Sequence, residues 1–250
     1  MPSLNVTVPV YNEEATLNSS ITRLASFLAG SGFASYEIVI AENASRDRTL
    51  KIANRLSDKI DGVRVVQLAE KGRGRALKKA WSESDAEILS YMDVDLSTDL
   101  ACLPALIEPI ARGATDLAVG SRLLSPRMVT RGPKREFISR CYNFLIRFFL
   151  KTRFSDAQCG FKAVSRSAVR ELLPLVEDNG WFFDSELLII AEKMGFRIFD
   201  LPVRWVDDPD TRVKIVSTAF YDICGLMRVR RNWRQGLYKT ESRLTVSFRE

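Results

Sequence analysis

The stretch Ile88-Leu-Ser-Tyr-Met-Asp-Val-Asp-Leu-Ser-Thr-Asp99 decides how the rest of the chain is read. Ile88 to Met92 is a short, largely apolar run and predicts a buried strand. It stops at two carboxylates, Asp93 and Asp95, with one residue between them. Side chains alternate along a strand, so positions i and i+2 share a face. Adjacent carboxylates repel each other unless a cation lies between them. An all-oxygen donor set suits Mg²⁺ or Mn²⁺, with phosphate oxygens filling further positions. In open α/β sheets ligands bind beyond the carboxyl ends of strands, which is where this pair falls. A lone Asp-x-Asp is more often a solvated turn, so its neighbours in the sequence matter.

Working outward, Leu4–Val10, Tyr36–Ala41, Val63–Leu68 and Asp116–Val119 read as further strands. The first is expected to stop at Pro9, which has no N–H to give to a ladder. Helical spacing of Leu17, Ile21, Leu24, Phe27 and Leu28 predicts a helix from about Glu13 to Ala29. Asn43 to Asp47 is expected to turn into a helix that runs through Leu56, and further helices are expected over Gly72–Trp81 and Leu100–Ala111. Such alternation implies an α/β fold, a mostly parallel sheet with helices on both faces. Downstream, Gly160–Val164 and Phe196–Trp205 read as strands and Phe182–Met194 as a helix.

The chain has 250 residues, enough for one α/β domain or one with an extension. No histidine is present, which excludes Ser-His-Asp triads and His-based metal sites. Cys102, Cys141, Cys159 and Cys224 form no Cys-x-x-Cys pair, arguing against a zinc site or a disulfide framework. A net charge of +6 favours anionic partners. No segment approaches the ~18 uninterrupted apolar residues of a membrane span.

Other motifs lie at predicted strand ends. Lys71-Gly72-Arg73-Gly74-Arg75 joins a strand to a helix. Its glycines could bring backbone N–H groups to an anion at a helix N-terminus, and its cations suit a diphosphate. Glu42 and Asn43 close the second strand, beside Pro9 to Glu13, where an acid could accept from a base or ribose. Gly120-Ser121-Arg122 follows the fifth strand. Arg135 and Ser139, four apart, share a helix face and could meet a phosphate. Asp184 and Glu186 sit among apolar residues and are hard to read as surface.

In this order the motifs resemble family 2 inverting glycosyltransferases of the GT-A, Rossmann-like fold. Val8-Pro9-Val10-Tyr11-Asn12-Glu13-Glu14, Asp47-Arg-Thr49, Lys71-Gly-Arg-Gly74, Asp93-Val-Asp95 and Val119-Gly-Ser-Arg122 carry the resemblance. Arg135 with Ser139, Asp156-Ala-Gln-Cys-Gly-Phe-Lys162 and Phe183-Asp-Ser-Glu186 narrow it to the dolichyl/polyprenyl-phosphate hexosyltransferases. Two departures stand out. The usual Asp-Asp-Gly-Ser reads Glu42-Asn43-Ala44-Ser45, and Ser97 replaces a Gln that many relatives use as a further metal ligand.

The resemblance implies inverting transfer of a hexose from a nucleotide sugar, UDP-glucose or GDP-mannose, to dolichyl or polyprenyl phosphate. It implies Mg²⁺ or Mn²⁺ on Asp93 and Asp95. Pro9, Tyr11, Glu13, Glu42, Asn43, Lys71, Gly72, Asp93, Val94, Arg212 and Lys214 would hold the donor nucleotide. Arg122, Arg135 and Ser139 would hold the acceptor phosphate, and Asp156, Asp184 and Glu186 would line the sugar pocket. Asp95, Arg122, Asp156 and Gln158 are the expected catalytic set, none of them a general base. Residues 1–212 form the expected catalytic domain, including an amphipathic helix at about 133–151, and 213–250 a basic, amphipathic, membrane-proximal segment. In these, Tyr142, Phe144, Leu145, Phe148, Phe149 and Leu150, and later Leu226, Met227 and Trp233, are interleaved with arginines. This suits helices lying on an anionic membrane surface. The expected place is therefore the cytoplasmic side of a membrane, peripheral or monotopic, without a spanning helix. The competing readings are a glycan hydroxyl acceptor, which would need a base carboxylate, and a nucleic-acid-binding module, for which no recognised motif is present. Nucleic acid is not an expected partner, and no oligomeric state is implied.

Overall fold

The computed structural model describes residues 2–206 and 215–238, with the backbone alone over 215–220. Arg212 and Lys214 lie outside the described residues.

The main sheet is seven-stranded. Its strands are β1 (Leu4–Val10), β2 (Tyr36–Asn43), β3 (Val63–Leu68), β4 (Ile88–Met92), β5 (Leu117–Ser121), β7 (Phe161–Ser165) and β8 (Ile198–Pro202), in the order β3-β2-β1-β4-β7-β5-β8. The pairs β1–β2, β2–β3, β1–β4 and β5–β8 are parallel. β7 runs antiparallel to both neighbours, β4 and β5. Strand order reverses at β1 and β4, opening a crevice at their carboxyl ends. Asp93 follows β4 there, and Tyr11 follows β1.

β4 is buried on both faces, as its apolar run implies. Ile88 and Met92 join a core with the β1 side chains Leu4, Val6, Val8 and Val10. That core is covered by α1 (Leu17–Gly30), α2 (Thr49–Lys59) and α4 (Leu103–Ala111). Leu89 and Tyr91 face the opposite way, into a second core with Leu77 and Trp81 of α3 (Arg73–Ser82). There α6 (Arg166–Leu172) and α7 (Phe183–Lys193) complete the layer. Each fully buried Leu, Ile or Phe in these cores contributes about 1.5–3 kcal/mol.

Several boundaries differ from expectation. β1 continues through Pro9 to Val10, paired with β2. Its pairing with β4 ends at Thr7↔Tyr91, short of Pro9. Helix α1 starts at Leu17, not Glu13: Asn12, Glu13 and Glu14 instead donate their backbone N–H groups to Ser45, Thr49 and Asp47, in the loop after β2 and the first residue of α2. The expected strand Phe196–Trp205 breaks in two. Pro202 ends β8, and β9 (Trp205–Val206) pairs with β6 (Val129–Thr130) in a separate two-stranded sheet.

Helix α5 (Pro133–Leu150) presents Phe137, Phe144, Phe148 and Phe149 outward. Leu150, expected on that outer face, is fully buried, and Tyr142 packs against the second core. In α8 (Ile215–Arg234), Leu226 is likewise buried while Met227 is exposed. Gly225 lies against Phe182, where an added Cβ would come within 2.4 Å of the ring. Among the described side chains of 213–250, Leu226, Val229 and Tyr238 thus pack into the second core, while Tyr221, Ile223 and Met227 stay exposed. No described helix is long and apolar enough to cross a membrane.

Candidate active site

The loops after β1 and β2 are laced together. Asn12 takes a positive φ of 54° and accepts from the Arg46 N–H at 2.8 Å. Glu13 N–H donates to Thr49 Oγ1 at 2.8 Å, and Asp47 caps Thr49 in turn. Glu42 is 1% exposed and accepts from the Ser45 N–H at 2.6 Å, so this acid braces its own turn. Asn43 accepts from the Gly72 N–H at 2.7 Å.

That last bond alters the reading of the glycine-rich turn. The N–H groups of both glycines are taken by protein, not held open for an anion: Gly72 by Asn43 and Gly74 by the Gly180 carbonyl, with Arg75 N–H bonded to the Asn179 carbonyl. The glycines are needed because segment 178–183 packs onto them. A Cβ on Gly72 would sit 2.5 Å from the Asn179 oxygen, and one on Gly74 2.8 Å from that of Asp178. The cationic side chains remain. Lys71 Nζ lies 3.5 Å from the centre of the Tyr11 ring.

Arg73, in sequence only one cation of the Lys71–Arg75 turn, reaches the centre of the site. Its Nη2 pairs with Asp93 Oδ1 at 2.7 Å and its Nε approaches Asp184 Oδ2 at 3.4 Å. The guanidinium stands 5.2 Å from the ring centres of both Tyr91 and Trp181. Burial works against its charge, but Asp93 and then Asp184 outweigh this and raise its pKa. Asp184 Oδ1 meets Lys162 Nζ at 3.2 Å and accepts from the Tyr91 hydroxyl. Lys162 is 1% exposed in the middle of β7. A lysine between Phe161 and Ala163 was the signal, in the sequence, of a buried acidic partner.

Gly160 closes the other side of Asp93. Its carbonyl accepts from the Asp93 N–H at 3.2 Å, and a Cβ on it would fall 1.9 Å from Asp93 Oδ2. Val94 is buried, whereas Asp95 is exposed and accepts from the Ser97 N–H at 2.9 Å. Both aspartates therefore follow the strand, in different surroundings. Their donor set fits a divalent cation: hard carboxylate oxygens with no nitrogen or sulfur ligand. Among the described residues no group of three or more His, Cys, Asp or Glu forms a cluster that could hold a metal. Remaining positions would fall to diphosphate oxygens and water, the usual arrangement for Mg²⁺.

Asp156, Ala157 and Gln158 form a strip beside this centre, each tied to a different element. Asp156 is fully buried and accepts from Arg122 Nε at 2.7 Å and Nη2 at 2.9 Å. Burial pushes its carboxyl up, but Arg122 overcomes this and holds it below the ordinary range. Arg122 thereby commits two of its three guanidinium nitrogens, and it stacks 5.0 Å from the centre of Trp205. Ala157 N–H donates to Asn143 Oδ1 of α5 at 2.9 Å. Gln158 Nε2 donates to Asp222 Oδ2 of α8 at 3.1 Å. Neighbouring Cys159 is pushed up to about 12 by burial, which keeps its thiol protonated and unreactive.

One turn along α5, Arg135 is half-buried and Ser139 is 4% exposed. The Ser139 hydroxyl has no hydrogen-bond partner among the described residues. Glu186, grouped with Asp184 from the sequence, goes elsewhere. It is fully buried on another face of α7, paired with Arg228 at 2.9 Å and accepting from the Asp178 N–H at 2.7 Å. Its partners fasten α8 and the 178–183 segment, not the Asp93 centre.

Asp222 is 3% exposed, and burial pushes its carboxyl up to about 7. The folded protein then keeps this proton up to about pH 7, while the unfolded chain releases it near pH 4. Stability contributed by the neutral acid is complete below pH 4 and is lost as pH rises toward 7. The groups facing it are Gln158, Tyr142 of α5 and, at longer range, Asp178. Asp222→Asn is expected to melt above the parent at pH 8, with the gap closing below pH 4. Parallel melting curves at pH 4, 6 and 8 check this, and a gap that does not grow with pH contradicts it.

The family described as Glycosyl transferase family 2 matches residues 5–173. The chain is 40% identical over 238 residues to glycosyltransferase AglD of Haloferax volcanii, covering 93% of this chain and 37% of that protein. It is 32% identical over 218 residues to the dolichyl-phosphate beta-glucosyltransferase of Drosophila melanogaster, covering 82% of this chain and 67% of the relative. The chain thus spans little more than a third of AglD's length. A crystal structure of glucosyl-3-phosphoglycerate synthase from Mycobacterium tuberculosis with UDP matches with a TM-score of 0.68, at 21% identity, over 92% of this chain and 80% of that one. The same enzyme with Mn²⁺, UDP and phosphoglyceric acid gives 0.69 at 19% identity, over 92% and 78%. At such identity the likeness shows the fold, which is the expected GT-A type.

Proposed function

Since the chain belongs to glycosyl transferase family 2, we propose that it transfers a hexose, with inversion, from a nucleotide sugar to dolichyl or another polyprenyl phosphate. Glucose is favoured over mannose by the name of the Drosophila relative, and UDP by the ligand of the structural neighbour.

The observation that carries this reading is the saturation of the three acids expected to line the sugar pocket. Asp156 is locked by Arg122, Asp184 by Lys162 and Tyr91, and Glu186 by Arg228. A sugar hydroxyl acceptor must surrender a proton to a base in the transition state. A phosphate monoester has a second pKa of ~6 and arrives ionised at pH 7, so it needs positioning and no base. Its oxygen attacks the anomeric carbon as the bond to the nucleotide diphosphate breaks.

Ser139, with Arg135 one turn away, is assigned to the acceptor phosphate, with the remaining edge of Arg122. The partnerless, buried Ser139 hydroxyl supports this. Tyr11, Glu13 and Lys71 are assigned to the donor, with Arg212 and Lys214. Asp93 and Asp95 would hold Mg²⁺ or Mn²⁺, which when bound neutralises charge on the leaving diphosphate. The outward phenylalanines of α5, with Tyr221, Ile223 and Met227 of α8 and exposed Arg140, Arg147 and Arg231, suit the headgroup region of an anionic membrane surface.

The test is transfer of labelled sugar to polyprenyl phosphate, with UDP-glucose and GDP-mannose as alternative donors. Transfer is expected with Mn²⁺ or Mg²⁺, to be lost with EDTA and restored by excess metal. A glycan accepted in preference to the lipid phosphate overturns the reading.

A further inference from the structure

We propose that Asp222 is a positioning residue for the reaction loop: it holds Gln158, so the order of the 156–160 strip depends on how α8 is seated. The strip has three consecutive tethers. Arg122 holds Asp156 and Asn143 holds Ala157, both from elements packed into the body. The third, Asp222 to Gln158 at 3.1 Å, comes from α8. A buried carboxylate is an expensive choice for a merely structural contact. Asp222 is 3% exposed, its Oδ1 has no hydrogen-bond partner among the described residues, and no described lysine or arginine is paired with it.

The surroundings make this a joint. The Tyr142 hydroxyl of α5, bonded to Ser185 of α7 at 2.8 Å, faces the same carboxylate. Further along the same face of α8, Gly225 lies on Phe182, Arg228 pairs with Glu186, and Asn232 donates to Glu177 at 2.9 Å. These contacts fix α8 against α7 and its preceding loop. Asp222 alone among them reaches the strip beside Asp93. Through Cys159, Gln158 is next but one to Gly160, whose carbonyl bonds the Asp93 N–H. The seating of α8 is thus linked to the loop that frames the first aspartate.

The kinetic half of the test rests on the transfer reaction proposed above; the exchange half does not. Amide hydrogen exchange is measured on the full chain for the parent, Asp222→Leu and Asp222→Asn, with kcat and donor KM from the transfer assay. Asp222→Leu is expected to speed exchange of residues 157–160 by about tenfold while the amides of β1 and β4 hold. It should lower kcat by about tenfold with donor KM little changed. Asp222→Asn keeps an acceptor oxygen for Gln158 and should restore both. Should Asp222→Leu fail to fold, Gln158→Leu severs the same bond and should give the same local exchange. Unchanged exchange at 157–160, or an Asn variant as impaired as the Leu variant, overturns the proposal. A parent protein that transfers no sugar defeats the transfer reading and leaves the exchange result to decide this one.

Discussion

Gly160→Ala is expected to reduce sugar transfer by at least about 100-fold, the scale for misplacing a reacting group by an ångström. The added Cβ would lie 1.9 Å from Asp93 Oδ2, 2.5 Å from its Cγ and 2.7 Å from its Oδ1. No rotation of one oxygen relieves this, because the whole carboxylate is in the way. Nor can the backbones move apart cheaply. Asp93 N–H is bonded to the Gly160 carbonyl, and the adjoining residues Met92 and Phe161 are paired in the sheet. Asp93 must therefore turn out of its site, leaving Arg73 without its 2.7 Å partner. Gly160 does not lie in the left-handed region, so the effect is steric and not torsional. Transfer kinetics and calorimetric titration of Mn²⁺ with UDP-glucose check it. Activity within threefold of the parent would show that Asp93 is not where the chemistry needs it.

Arg122→Met carries the largest expected loss of stability, about 3–5 kcal/mol, the range for breaking a buried ion pair from one side. Asp156 is 0% exposed and would be left with its charge buried. Desolvation would then dominate its pKa, which Arg122 now holds down. The double variant Arg122→Met, Asp156→Leu removes both charges and should regain much of the stability, since apolar replacements of a buried pair are often neutral. Transfer should stay lost, because Gln158 N–H also bonds Asp156 and the strip loses its first tether. Urea midpoints for the two single variants and the double variant form the cycle. A cost below about 1 kcal/mol for Arg122→Met would mean that the pair is hydrated and not buried.

Residue order determined a good deal here. Alternating apolar runs and amphipathic segments specify parallel strands and covering helices, because each local period admits few ways to bury its apolar face. The Asp-x-Asp at a strand end, the missing histidine and the Arg135–Ser139 spacing were legible for the same local reason. Partnership across the fold was not. Nothing in Asp156–Lys162 says that β7 wedges antiparallel between β4 and β5, yet that insertion alone sets Gly160 against Asp93. Glycines at 72 and 74 looked like room for a phosphate, when they make room for the 178–183 segment. Asp184 and Glu186 are neighbours in sequence but lie on different faces of α7, so one joins Arg73 and the other fastens α8. Arg73 and Asp222 could not be singled out, because a charge is recognised as special only by what surrounds it, and burial and pairing belong to the packed chain.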